Sequence, residues 1–291
     1  MNFRSDIPRA TAGRLWMALA LCLTLLSACA TTGGEHDDIS ICCTHAERIP
    51  APVVDAVKPA APVVGRLIGH TVLRDGYLRD DEAARTAILH DLRPLDLVVV
   101  SSKGRLSGHT IPGLFGHAAV YMGTEAELVA LGLWNDARVK PHRDIIRSGK
   151  LFIEADQDGV HFSSPARVLN TDRAVVLRPA LSPAERRRAA HVFLDAIGTP
   201  FDFRFSIDTP ECVFCTELVA HAMPSLPLAI DTIYRTRLIF PDRLVHAALV
   251  RPDALKVVSY TRGTSAGVAR ATSTQLRRDL AGYWAGTGTK P

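Results

Sequence analysis

The sequence predicts an α+β fold, and two observations carry that reading. Short β-rich runs bounded by Gly and Pro recur between residues 93 and 262, among stretches with helix caps and helical apolar spacing. One of those helical stretches starts on a cysteine: Cys215, Leu218, Val219 and Ala222 follow the i, i+3, i+4, i+7 pattern of one buried face. With 291 residues, 47% hydrophobic and 22% charged, the chain suffices for one large domain or two small ones. This composition fits neither a disordered nor an integral membrane protein. The formal net charge is +4, and Arg4, Arg9 and Arg14 against Asp6 place +2 of it in residues 1–28. No nucleic-acid partner is expected from so modest a charge.

Residues 1–28 read as an export signal. A basic start is followed by an apolar core from Leu15 to Leu26, too short for the roughly 20 residues that cross a bilayer. Leu26-Ser27-Ala28-Cys29 directly after that core resembles the lipidation box of bacterial lipoproteins, although Ala30 follows the Cys. The resemblance implies lipid on Cys29, a membrane partner through that lipid, and sorting to the outer membrane with the domain facing the periplasm. Residues 29–62 then read as a flexible tether whose Pro/Ala/Val-rich end has room for a short helix. Residues 63–92 form a helical segment, with the acidic run Asp80-Asp81-Glu82 opening a helix that Pro94 ends.

The main folded domain is predicted to span residues 93–262. Leu95-Asp96-Leu97-Val98-Val99-Val100 is a strand between Pro94 and Ser101-Ser102-Lys103-Gly104. Gly116 to Gly123 encloses a second strand, on which alternation puts His117, Ala119 and Tyr121 on one face. Residues 124–150 are less regular. Leu151–Ala155 turns at Asp156–Gly159 into Val160-His161-Phe162, and Ala174–Arg178 is a further strand stopped by Pro179. Ser182-Pro183-Ala184-Glu185 has the Ser cap, first-turn Pro and third-position Glu of a capping box. After the Cys215 helix come a short helix at Pro241–Ala248 and a strand at Leu255–Tyr260. From Gly263 to Pro291 the small, polar composition suggests a mobile tail in which Tyr283-Trp284 is free to dock.

The chemistry gathers at Glu211-Cys212-Val213-Phe214-Cys215. In the first turn of a helix the unpaired backbone N–H groups and the helix dipole favour an anion, which suits a thiolate at Cys215. Taken alone, Cys212-x-x-Cys215 admits a redox dithiol, half of a zinc site, the nucleophile of a Cys/His hydrolase with His117 as base, or buried structural cysteines. Zinc requires further ligands, and no second Cys-x-x-Cys or ordered His pair accompanies this one, so neither a metal nor a cofactor is expected. Of the six cysteines, Cys22 leaves with the signal and Cys29 takes lipid. Cys42, Cys43, Cys212 and Cys215 remain, and if Cys215 is a free thiol, Cys42 or Cys43 with Cys212 is the candidate disulfide.

Several stretches occur in a telling order: Leu95-Asp96-Leu97-Val98-Val99, Gly113-Leu114-Phe115-Gly116-His117-Ala118-Ala119-Val120-Tyr121-Met122-Gly123, and Phe152-Ile153-Glu154-Ala155. Gly198-Thr199-Pro200-Phe201-Asp202 and Phe214-Cys215-Thr216-Glu217-Leu218-Val219 follow. Over roughly residues 90–260 this series resembles the circularly permuted papain-like amidases, the YiiX/YaeF-like branch of the NlpC-type cysteine hydrolases. The resemblance implies an antiparallel sheet or half-barrel packed against the Cys-bearing helix. It also implies Cys215 as nucleophile, His117 as general base and Glu154 as the residue that orients the imidazole, with Asp156 and His161 as alternatives for the third role. Cys212 reads as structural or regulatory, and Asp202 and Asp96 as structural. Phe201 and Phe214 stand where the family usually has Tyr.

The implied activity is amide hydrolysis through a thioacyl-enzyme at the cell envelope. Cell-wall peptide (peptidoglycan) is the expected substrate class, with acyl-amides or lipid-like acyl groups beside it. A non-catalytic envelope-binding lipoprotein on the same fold and a thiol redox protein using Cys212 and Cys215 are the rival readings.

Overall fold

A computed structural model describes residues 38–286 apart from residues 45 and 48. The signal segment, Cys29 and the start of the tether lie outside those residues. The tether region contributes a short turn at Ile39–Ile41 and a helix α1 (Ala51–Val57), followed by α2 (Ala61–His70). Helix α3 (Glu82–Asp91) starts where its acidic run predicts, with the Ala84 amide donating to Asp81 Oδ1 at 2.8 Å.

Strands β1 (Leu97–Ser101) and β2 (His117–Tyr121) come next, joined by a loop that includes one turn of helix at Ser107–Thr110. The less regular stretch holds two short helices, α4 (Glu125–Ala130) and α5 (Arg143–Arg147), each too brief to impose a readable apolar period. The hairpin β3 (Phe152–Asp156) and β4 (Gly159–Ser163) turns at the predicted place, and β5 (Arg173–Pro179) follows. Helix α6 (Pro183–Asp195) carries the expected capping box between Ser182 and Glu185. Then come α7 (Cys215–Ala222), the small hairpin β6 (Asp231–Ile233) and β7 (Thr236–Leu238), and α8 (Pro241–Val250).

The C-terminal stretch departs from the predicted tail. It forms β8 (Leu255–Thr264), β9 (Gly267–Ala271) and α9 (Ser273–Trp284), which buries Leu276, Leu280, Ala281 and Trp284. The Gly/Thr/Ser composition was misleading because a sheet-edge hairpin and three or four well-spaced apolar residues are enough to anchor the segment.

Seven strands form one antiparallel sheet in the order β4-β3-β2-β1-β5-β8-β9. The chain therefore has a mixed α+β fold built on a large antiparallel sheet. All five residues of β1 are buried because the central strand is covered on both faces. Leu97 and Val99 belong to the main core with α6, α7, α8 and α9, while Val98 and Val100 belong to a smaller core under α3. Helix α7 lays Leu218, Val219 and Ala222 on the first face, against Ala118, Val120, Ile153 and Ala155. Ala119, Tyr121 and Phe152 point to the other. His117 and Glu154 share that second face by alternation.

Candidate active site

His117 and Cys215 are each the first residue of their element, β2 and α7. That position lets an imidazole from a strand and a thiol from a helix meet at the rim of the sheet. The loop that delivers His117 is fixed from below. Leu114 and Phe115 donate their amides to the buried carboxylate of Asp242 at 2.9 and 2.8 Å, and Trp284 Nε1 donates to the same group at 2.7 Å. Burial pushes the Asp242 carboxyl up to about 6 although these donors work against it. Gly113 precedes the loop at φ +134°, where a Cβ would sit 2.8 Å from the Phe115 carbonyl oxygen, so Gly is required there. The C-terminal residues of the chain thus help to hold the base.

His117 Nε2 lies 2.7 Å from Glu154 Oε2. Burial works to lower the His117 pKa, but the Cys215 side chain and the Glu154 carboxylate beside the ring outweigh it and raise it well above the ordinary imidazole value. Burial likewise works to raise Glu154, and the bond to His117, the Ser163 hydroxyl and the charge of His161 reverse that and hold the carboxyl below its usual range. Ser163 Oγ donates to Glu154 Oε1, and His161 Nε2 lies 3.1 Å from the same hydroxyl. Arg167 Nε approaches Glu154 Oε1 at 3.5 Å. Cys215, His117 and Glu154 are therefore brought together.

The alternative third members fall elsewhere. His161 pairs across the hairpin with Glu154 but keeps 3.7 Å from it, and its Nδ1 faces the Gly159 carbonyl. Asp156 is bound by Arg167 Nη2 at 2.6 Å. Glu154, Asp156 and His161 could bring ligand atoms within 4.8 Å of one another around a cation. The Arg167 guanidinium, joined to Asp156, Asp158 and the edge of Glu154, already supplies positive charge to that corner. Ser163 and Arg167 were not singled out from sequence. For Ser163 a signal existed, since it shares the face of His161 by period two.

The thiols differ in their surroundings. Burial and the neighbouring Asp202 carboxylate push Cys212 up to about 11. Asp202 itself shapes its loop, accepting the Arg204 and Ser206 amides at 2.8 Å each. Cys215 is buried at the start of α7, where Phe214 has no side-chain acceptor to cap the helix and Glu217 Oε2 accepts the Phe214 amide at 3.3 Å. The disulfide expected from Cys42 or Cys43 to Cys212 is not formed. All four described cysteines are free, and Cys42 Sγ and Cys43 Sγ lie 2.7 Å from each other. Their charged neighbours are Asp242 and Arg243, whereas Cys212 belongs to the Asp202 loop. Asp96 is structural as expected, clasped by Arg178 at 2.6–3.2 Å.

A strand-borne His paired with a carboxylate, preceding in the chain a helix that opens on a buried Cys, is the papain constellation in permuted order. A family model described as permuted papain-like amidase enzyme, YaeF/YiiX, C92 family, matches residues 91–249. The chain belongs to that family. No curated protein and no solved structure matches it. The matched span includes His117, Glu154 and Cys215. Helices α1 and α2 precede it, and β8, β9 and α9 follow it. As a member of the family the protein is a papain-like cysteine amidase in general type.

Proposed function

We propose that the protein is a cysteine hydrolase of the bacterial envelope, with Cys215 as nucleophile, His117 as base and Glu154 as the group that orients His117. The observation that carries this reading is the His117 imidazole, bonded to Glu154 at 2.7 Å and lying beside the Cys215 thiol. The Cys215 sulfur attacks the amide carbonyl after passing its proton to His117, and a C–S bond forms. The imidazolium returns that proton to the departing nitrogen as the C–N bond breaks, so an amine leaves and a thioester remains. His117 then deprotonates water, which cleaves the thioester to a carboxylic acid and regenerates the thiol. Glu154 stays ionised throughout, holding the ring tautomer and its charge. The free N–H groups that open α7 supply donors for the oxyanion.

Lipid on Cys29 would tether this domain to the outer membrane facing the periplasm. The support is the Leu15–Leu26 core and Leu26-Ser27-Ala28-Cys29. The superfamily and that compartment argue for an amide of the envelope, a cell-wall peptide or an acyl-amide, as substrate. The deciding experiment treats the purified protein with iodoacetamide at pH 7 and maps the modified cysteines. Cys215 should label far ahead of Cys212, Cys42 and Cys43, and His117→Ala should slow it. Uniformly slow labelling would sink the hydrolase reading. A Cys29→Ser protein should leave the membrane fraction, and unchanged fractionation would overturn the anchor.

A further inference from the structure

On β4, His161 stands directly opposite Glu154, and Ser163 shares its face two residues on, diagonal to the carboxylate. The two oxygens of Glu154 are divided between β2 and β4. Oε2 meets the His117 imidazole, and Oε1 accepts the Ser163 hydroxyl. Arg167 Nε stands back from Oε1 at 3.5 Å, and its Nη2 is bound to Asp156 and Asp158. Ser163 and Glu154 are 2% and 4% exposed, so water has no room to replace the hydroxyl.

Proton counting gives each of these bonds a direction. An ionised carboxylate only accepts, and a serine hydroxyl has one proton to give. Once Ser163 gives that proton to Glu154, its oxygen can only accept from His161 Nε2, 3.1 Å away. His161 Nδ1 lies 3.1 Å from the Gly159 carbonyl oxygen, a second acceptor, and donates as well. Both ring nitrogens then carry a proton, so the ring is an imidazolium and has no lone pair to offer a cation. Its charge is met by Asp156 Oδ1 at 3.6 Å and Glu154 Oε1 at 3.7 Å. The other charged or titratable groups at this corner are Arg167, which pairs with Asp156 and Asp158, and His70 on α2, which meets Asp158 at 3.2 Å. A neutral ring with its proton on Nδ1 would draw the Ser163 proton to Nε2 and take it away from Glu154.

We propose that Ser163 and His161 are positioning residues for Glu154: His161 donates to Ser163, which aims the hydroxyl proton at Oε1 and keeps Oε2 turned to His117. The proposal rests on the hydrolase reading of Cys215 and extends it outward from Glu154. Neither residue is among those lining the cavity onto which Cys215, His117 and Glu154 open, so both act through Glu154 and not on the substrate. With Oε1 anchored, the carboxylate cannot swing about its last bond, and the ring of His117 keeps Nε2 on Glu154 and Nδ1 for the thiol proton. Without the hydroxyl, a buried oxygen loses its hydrogen bond and the carboxylate turns toward the Arg167 guanidinium, away from His117.

The test is the rate of Cys215 alkylation by iodoacetamide at pH 7, read by mass spectrometry on the purified full-length chain. Ser163→Ala should slow it about tenfold, the worth of one hydrogen bond to a charged group. Ser163→Thr keeps the hydroxyl and should return the rate to near that of the wild type. His161→Leu, at a partly exposed position, should cost about as much as Ser163→Ala. Because His161 acts through Ser163, the double variant should be no slower than either single one. In a Glu154→Gln protein the Ser163→Ala change should have no further effect. Wild-type rates in both single variants, or losses that multiply in the double variant, overturn the relay and leave the hydrolase standing. A loss in Ser163→Ala alone overturns the role of His161. Should Ser163→Ala fail to fold, His161→Leu decides: an unchanged rate overturns the proposal. If wild-type Cys215 labels no faster than Cys212, the hydrolase reading falls and the relay with it.

Discussion

Cys212 and Cys215 are three residues apart, yet one faces carboxylates and the other faces an imidazole. Cys212 sits on the Asp202 loop, where burial, Asp202 and Glu217 disfavour a thiolate. Cys215 sits one turn on, at the start of α7, beside a His117 whose pKa is raised. The residue type is the same, and the sign of the neighbouring charge decides which sulfur can act as a nucleophile. The difference also weighs against a redox role for the pair, because a thiol held protonated is a poor partner in exchange.

The contrast is broken most completely by removing the sulfur itself. Cys215→Ala should abolish amide turnover, a loss on the order of 10⁴-fold or more, whereas Cys212→Ala should keep most of it. Initial rates of the two purified variants check this, and equal losses would refute the assignment. Glu154→Gln comes next, with an expected loss on the order of 10² to 10⁴ in kcat, because the amide keeps the shape but no longer holds the imidazolium.

The same substitution has a signature in pH. The pKa of His117 is raised, so its charge, and the stability drawn from its partners, is full below the ordinary imidazole value of about 6.5. Both are lost as pH climbs through the raised value. The alkaline limb of the rate profile should therefore lie above about 6.5 in the wild type and move down in Glu154→Gln. A limb that stays in place would mean that Glu154 does not set the charge of His117.

At Cys212 the effect is smaller and is read by alkylation. With a pKa of about 11, Cys212 should label slowly at neutral pH and speed up only in strong alkali. Glu217→Gln removes one of the carboxylates facing it and should shift that labelling curve to lower pH by a few tenths of a unit. The variant carries a second readout. Burial raises Glu217 to about 7, so its folded-state value lies above the unfolded one of roughly 4.3. Stability is then lost as pH rises between those values, and Glu217→Gln should flatten the fall of Tm across that window.

Local chemistry accounts for much of what was readable in advance. The Ser182–Glu185 box, the Asp156–Gly159 turn and the Cys215 helix stripe each depend on residues within a few positions of one another, and each formed where expected. The family motifs carried His117, Glu154 and Cys215 into one reading, and those three side chains do come together. Three things could not be read. The C-terminal stretch read as a loose tail with Tyr283-Trp284 free to dock, and neither β9 and α9 nor the docking place at Asp242 and Gly113 was visible. That residues of α1 and α2 border the Cys215 site could not be read either, because neither helix buries a residue. The cysteine pairing also misled, since parity says nothing about which thiols lie close.

The sequence by itself determined where β1 to β5, α6 and the Cys215 helix lie, the order of base before nucleophile, and an unpaired amide cluster waiting at a thiol, because all of these follow from spacing along the chain. Only the tertiary structure decided what charges each thiol meets, what holds the His117 loop and what covers the site. Those depend on contacts such as Asp202 with Cys212, Asp242 with Leu114 and Gly65 with Phe203, between residues separated by ten to more than a hundred positions. Charge and apolar surface act through space, so a thiol's neighbours across the fold matter more than its neighbours in the chain.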